Sequence, residues 1–294
     1  MSKPSLIHQF VANVILPLSG VARRFARVPV GEKMPSPPRG ASHSGDLTVT
    51  ATVAQGWPAL RFEPAQPAHP ARTIVMLHGG AYVHEANGMH VDLCRSLARS
   101  TGATVVMPAY PLAPHATADT VVPVAADLIS HEIARTTPEH TAVLGDSAGG
   151  GLALAATQEL VRRGCAVPGS LVLLSPWLDV TVSDPRSLNG VKDPLLDVDG
   201  LRRCGRLWAG ALDAADPLPS PIHGSMRGLP PIALYSGTRD VLYPDSQRLA
   251  DAAREAGIDV DIDLRRGLIH DWAIMGFLPE SAAVAARLPD QLFR

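Results

Sequence analysis

The sequence predicts an α/β fold, a mostly parallel central sheet with helices on both faces. Three observations predict it. Short continuous apolar runs that end in glycine, such as "TIVMLHGG" at 73–80, carry the pattern of parallel strands buried on both sides. Segments with helical spacing of apolar residues separate these runs. The strand–helix–strand order then repeats along the chain, and crossovers between parallel strands put helices on the faces of the sheet.

Each element follows in order. The apolar run Phe10–Gly20 is too short to span a bilayer. Pro17 interrupts it, and no small-residue cleavage pattern precedes Arg23, so it predicts a helix packed on the body rather than a signal peptide. Residues 24–45 are rich in Pro, Gly and Ser and predict a connector. "DLTVTATVA" (46–54) alternates with period two, as a half-buried strand does. Buried strands are predicted at Thr73–Gly80 and Ala103–Tyr110, joined by a helix over His90–Gly102 with a glycine cap. Then come a helix at Ala118–Thr136, a strand at Thr141–Gly145, a helix at Ala148–Arg163 and a strand at Gly169–Trp177. From 180 to 228 no buried strand is evident, although Leu195–Trp208 has helical spacing. An insertion there can cover the carboxyl ends of the strands, where open α/β sheets bind ligands. Pro230–Gly237 reads as a strand, Ser246–Gly257 as a helix and Ile258–Gly267 as an alternating strand.

Composition narrows the function. The chain has 294 residues, 46% of them hydrophobic, enough for a sizeable core. A net charge of −2 gives no basic footprint for nucleic acid. Cys94, Cys165 and Cys204 are odd in number and far apart, which argues against a disulfide framework and fits a reducing, cytoplasmic compartment. Without a CxxC pair or an HExxH helix, no zinc site is expected.

The chemistry concentrates at Gly145-Asp146-Ser147-Ala148-Gly149. This G-x-S-x-G lies between a predicted strand and a predicted helix, the context of a nucleophile elbow. So sharp a turn strains the serine and lifts its hydroxyl above the sheet, with the Ala148 N–H at the helix start facing a developing negative charge. A serine needs a base. In this strand–turn–helix arrangement the acid and then the histidine follow the serine, and only His223 and His270 of eleven histidines do so. His223 lies inside the insertion, whereas His270 follows a strand, so His270 is the candidate base. Asp240, at the end of "PPIALYSGTRD", is the candidate acid. Asp271 is set aside because neighbours in sequence seldom orient toward one another for the Nδ1 bond that the acid must make; it is expected in the pocket wall. Gly79 and Gly80 of "LHGGAY" are candidate oxyanion donors with Ala148, and His78 is expected to orient that loop rather than act as a base. Tyr82, Asp146 and Trp272 are expected to line the substrate pocket.

The blocks "HGGAY" (78–82), "GDSAGGGLA" (145–153), "SPWLD" (175–179), "GLPPIALYSGTRD" (228–240) and the late His270 together resemble the hormone-sensitive-lipase-like branch of the α/β-hydrolases, bacterial carboxylesterases in particular. The resemblance covers nearly the whole chain. It implies an α/β-hydrolase fold, with Ser147, Asp240 and His270 as a triad and Gly79, Gly80 and Ala148 as the oxyanion hole. It also implies that the catalytic domain is 46–179 with 229–294, and that segments 1–45 and 180–228 form a helical cap. Ala81 stands where the family often has a third glycine, "YPLAPH" (110–115) departs from Tyr-Arg-Leu-Ala-Pro-Glu, and "HDW" replaces a small residue after the histidine. The implied activity is hydrolysis of short- to medium-chain acyl esters, with no metal or organic cofactor, no nucleic-acid partner and no stable membrane insertion. An amidase or deacetylase on a bulky natural product remains an alternative, as do a non-catalytic ligand-binding relative and a scaffold protein. A homodimer is left open.

Overall fold

The computed structural model describes residues 3–20, 22, 42–189 and 191–294; most of the predicted connector at 24–45 lies outside them. Among these residues nine strands form one sheet: β1 (Ser42–Ser44), β2 (Leu47–Ala54), β3 (Trp57–Pro64), β4 (Thr73–Leu77), β5 (Thr104–Pro108), β6 (Thr141–Asp146), β7 (Ser170–Leu174), β8 (Ile232–Arg239) and β9 (Val260–Ile269). Their spatial order is β1-β2-β3-β5-β4-β6-β7-β8-β9. From β5 to β9 every pairing is parallel, while β1, β2 and β3 join antiparallel at one edge.

The parallel strands are buried on both faces, so their alternate residues feed two cores. Val75, Leu77, Val143, Leu171 and Leu173 belong to one. Ile74, Met76, Leu144, Val172 and Leu174 belong to the other. Burial of each such side chain stabilises by about 1.5–3 kcal/mol, which is why these strands read as unbroken apolar runs.

Helix α1 consists of α-helical turns Leu6–Phe10 and Leu16–Ser19 around a π turn, Val11–Ile15. It docks on the body, as its sequence predicts: Val11 and Ala12 are buried, and Ser5 N–H donates to Glu280 Oε1 at 2.6 Å. The larger helices that follow are α2 (Gly88–Thr101), α3 (Ala118–Arg135), α4 (Ser147–Arg162), α5 (Val198–Ala209), α6 (Tyr243–Glu255) and α7 (Pro279–Leu292). No described helix is long and apolar enough to cross a membrane.

Two differences from the sequence reading matter. Strand β3 was not foreseen, because Pro58 and Pro64 disguise it. They sit near its two ends, where a missing N–H disturbs the ladder least. A two-residue turn, Gln55-Gly56, with φ of 48° and 82°, joins it to β2. Strands β8 and β9 also run two residues further than expected, to Arg239 and Ile269. Asp240 and His270 are therefore the first residues beyond adjacent strands.

Candidate active site

Strand β6 ends at Asp146 and α4 begins at Ser147 with no residue between. Ser147 has φ of 49°, a left-handed conformation that costs a non-glycine residue about 1–3 kcal/mol. Two glycines make the turn feasible. A Cβ on Gly145 would lie 2.3 Å from the Gly149 carbonyl oxygen, and one on Gly149 would lie 2.0 Å from that of Leu77. Strand and helix thus touch backbone to backbone, and only hydrogen fits between them.

The structure brings Ser147, His270 and Asp240 together. His270 Nε2 is 2.9 Å from Ser147 Oγ, and His270 Nδ1 is 2.8 Å from Asp240 Oδ2. All three are buried, at 3%, 4% and 0% exposure, so these bonds form in a low dielectric that strengthens them. Asp240 Oδ1 accepts from the Leu242 N–H at 2.8 Å, which fixes the carboxylate. His223, the histidine set aside, lines a cavity of about 670 Å³ with Pro123, Ala155 and Leu218, two turns along α4 from the serine.

Two carboxylates at this site make contacts that the sequence does not announce. Asp193, in the insertion, accepts from the N–H groups of Leu195 and Leu196 through Oδ1 and from Val241 through Oδ2, bracing the turn that carries Asp240. Burial and the nearby Asp240 push its pKa up to about 7. Asp271 makes no bond to His270 Nδ1, which Asp240 takes; its Oδ2 lies instead 3.1 Å from His270 Nε2. A left-handed φ of 53° bends the chain back on itself, and the Asp271 N–H donates to Ser175 Oγ at 3.1 Å. Burial and the neighbouring carboxylates raise the Asp271 pKa to about 6, although His270 opposes the shift. For His270, burial disfavours the charged form, but the Asp240 and Asp271 carboxylates outweigh it and hold the imidazole well above its ordinary range.

The oxyanion donors need a correction. The Gly79 N–H donates to Asp146 Oδ1 at 3.0 Å and does not face the serine. Asp146 is 1% exposed and its Oδ2 lies 3.1 Å from His90 Nε2, so it props the loop from behind and is not in the pocket. Among the described residues no acceptor takes the N–H of Gly80 or Ala81. The Ala148 N–H, in the first turn of α4, has no intrahelical acceptor. Ala81 at φ 52° and Tyr82 at φ 62° carry the strain of this turn, which a third glycine would relieve. His78 is the loop-orienting residue expected. Its Nδ1–H donates to the Gly79 carbonyl at 2.7 Å, and burial lowers its pKa to about 4.

The remaining pocket expectations divide. Tyr82 is stacked on Trp208 at 3.9 Å and beside Trp177 at 5.6 Å, a block of buried rings next to the loop. Trp272 is not in the pocket. The 3₁₀ turn Trp272–Ile274 carries it into the second core, edge-on to Tyr235 at 6.2 Å.

Comparison with known proteins follows this geometry. Residues 74–274 match a family model described as alpha/beta hydrolase fold. A triacylglycerol lipase of Mycobacterium tuberculosis is 40% identical over 229 residues, 78% of this chain and 48% of that protein, so the chain spans about half of that relative's length. An acetyl-hydrolase of Streptomyces hygroscopicus is 33% identical over 230 residues, 78% of this chain and 75% of that one. Among solved structures, an esterase from the bacterial hormone-sensitive lipase family superposes with a TM-score of 0.80 at 26% identity, covering 96% of this chain and 98% of that one. With its serine at a strand-to-helix elbow and its histidine and aspartate at the ends of neighbouring strands, the chain belongs to the α/β-hydrolase family, in the hormone-sensitive-lipase-like branch of ester hydrolases.

Proposed function

We propose that the chain is a serine carboxylesterase that cleaves short- to medium-chain acyl esters through an acyl-enzyme. The observation that carries this reading is the unbroken line of hydrogen bonds from Ser147 Oγ through His270 to Asp240. His270 Nε2 takes the serine proton as Oγ bonds to the ester carbonyl carbon, and Asp240 holds the imidazolium that results. The negative charge on the tetrahedral oxygen is met by the N–H groups of Gly80, Ala81 and Ala148. His270 then gives its proton to the leaving alcohol as the carbon–oxygen bond breaks. Water, deprotonated by the same nitrogen, releases the acid.

Two features support a small acyl group. Tyr82, Trp177 and Trp208 fill the space beside the oxyanion loop and α4. The described part of 180–228 also reaches the acid turn through Asp193, as a cap over the site does. Each CH₂ gains about 0.8 kcal/mol only until the pocket wall is met. p-Nitrophenyl butyrate should therefore be cleaved with a far higher kcat/KM than p-nitrophenyl palmitate. A preference for palmitate, or a jump in rate at the substrate's solubility limit, would replace this reading with that of a true lipase.

The triad has its own test. Asp240→Asn should lower kcat by about 10⁴-fold, as the same change does in a serine protease by holding the wrong histidine tautomer. A loss smaller than that of Asp271→Asn would exchange the roles of the two aspartates.

A further inference from the structure

Cleavage by Ser147, His270 and Asp240 leaves Asp271 without a task, yet its carboxylate rests on the reacting nitrogen. Oδ2 lies 3.1 Å from His270 Nε2, on the opposite side of the ring from Asp240. Among the described residues no donor reaches the buried Oδ1, an arrangement costly to maintain unless a donor arrives. The backbone is built to hold it there: Asp271 and Ser175 both have left-handed φ, 53° and 45°, and the Ser175 hydroxyl accepts the Asp271 N–H. The charged or titratable groups that bear on Asp271 are His270, His90, Asp146 and Asp240, and the Asp146 oxygens are already engaged by Gly79 and His90. On this side of His270, Asp271 Oδ1 is thus an acceptor that no described donor meets.

Position then selects the ligand. During the reaction the proton on Nε2 passes from Ser147 Oγ to the oxygen of the leaving alcohol. A carboxylate beside Nε2 consequently faces the alcohol half of the ester, not the acyl half. Resting on the triad reading, we propose that Asp271 is a specificity residue whose carboxylate accepts a hydrogen bond from a hydroxyl one carbon beyond the alkoxy carbon. Partial esters of polyols are then preferred to simple alkyl esters, and esters with an anionic alcohol half are rejected.

The test uses an isosteric pair, 2-hydroxyethyl butyrate and n-propyl butyrate, in which a hydroxyl replaces a methyl. The wild-type ratio of kcat/KM should favour the hydroxyethyl ester by about tenfold or more, the scale of a charge-assisted bond. Asp271→Gly removes the carboxylate and tolerates the positive φ; its ratio should fall to about twofold, the residue of leaving-group reactivity. Should that variant fail to fold, Asp271→Asn, which keeps the shape and loses the charge, should lower the ratio by at least about threefold. A wild-type ratio near one, or one unchanged in the variants, overturns the proposal. Failure of the folded wild type to cleave either ester overturns instead the ester-hydrolase reading on which it rests.

Discussion

Ser147→Ala should abolish ester turnover while the protein stays folded. The substitution removes one oxygen whose hydrogen-bond partner is His270 Nε2, and it keeps the Cβ that the elbow already accommodates. Serine and alanine suffer alike at φ 49°, so the backbone strain is unchanged. Stability should therefore move little, whereas kcat should fall by about 10⁶-fold, the loss seen when a triad nucleophile is deleted. What survives is the contribution of the N–H donors and of substrate binding. Turnover of p-nitrophenyl butyrate by the purified variant, with a melting curve beside it, decides the matter. A variant that keeps a tenth of the wild-type rate means that another group is the nucleophile.

His270→Ala should cost a comparable factor, about 10⁶ in kcat, and His223→Ala should cost almost nothing. His223 lies in a cavity wall along α4, out of reach of the serine. The same imidazole sets the pH dependence. Only neutral His270 accepts the serine proton, so kcat/KM rises as pH passes upward through its pKa in the free enzyme. Burial would pull that pKa down, but Asp240 and Asp271 raise it well above 6.5. The acid limb should therefore lie above 6.5, with activity lost as pH falls through it. A limb below 6.5 would mean that the two carboxylates do not both bear on the ring.

Much of this was legible in the sequence because it depends on local pattern. Gly145 and Gly149 announce the elbow by their spacing between a strand and a helix, and chain order leaves two of eleven histidines, of which only His270 follows a strand. What was not legible depends on how the chain bends after an element ends. The sequence sets Asp271 aside as the partner of Nδ1, but it does not show that a left-handed φ at that residue turns the carboxylate onto Nε2 of His270. Trp272 is next in sequence, yet the 3₁₀ turn carries it into the second core. Gly79 and Gly80 look equivalent as letters. The buried Asp146 takes the first N–H and leaves the second. Asp193 gives no signal, since it is one of six aspartates in 180–228 and resembles any surface turn until its three N–H donors are seen.

Asp193 has a consequence for how such enzymes diversify. By sequence it belongs to the segment 180–228, yet its bond to the Val241 N–H ties it to the turn beside the candidate acid, Asp240. The insertion is thus not a separable module that recombination can exchange to change substrate range. A chimera that imports a foreign insertion without an acceptor at this position leaves the Val241 N–H buried and unpaired, and loosens Asp240 with it. Selection for new specificity must then change residues within the insertion around a fixed aspartate rather than replace it whole.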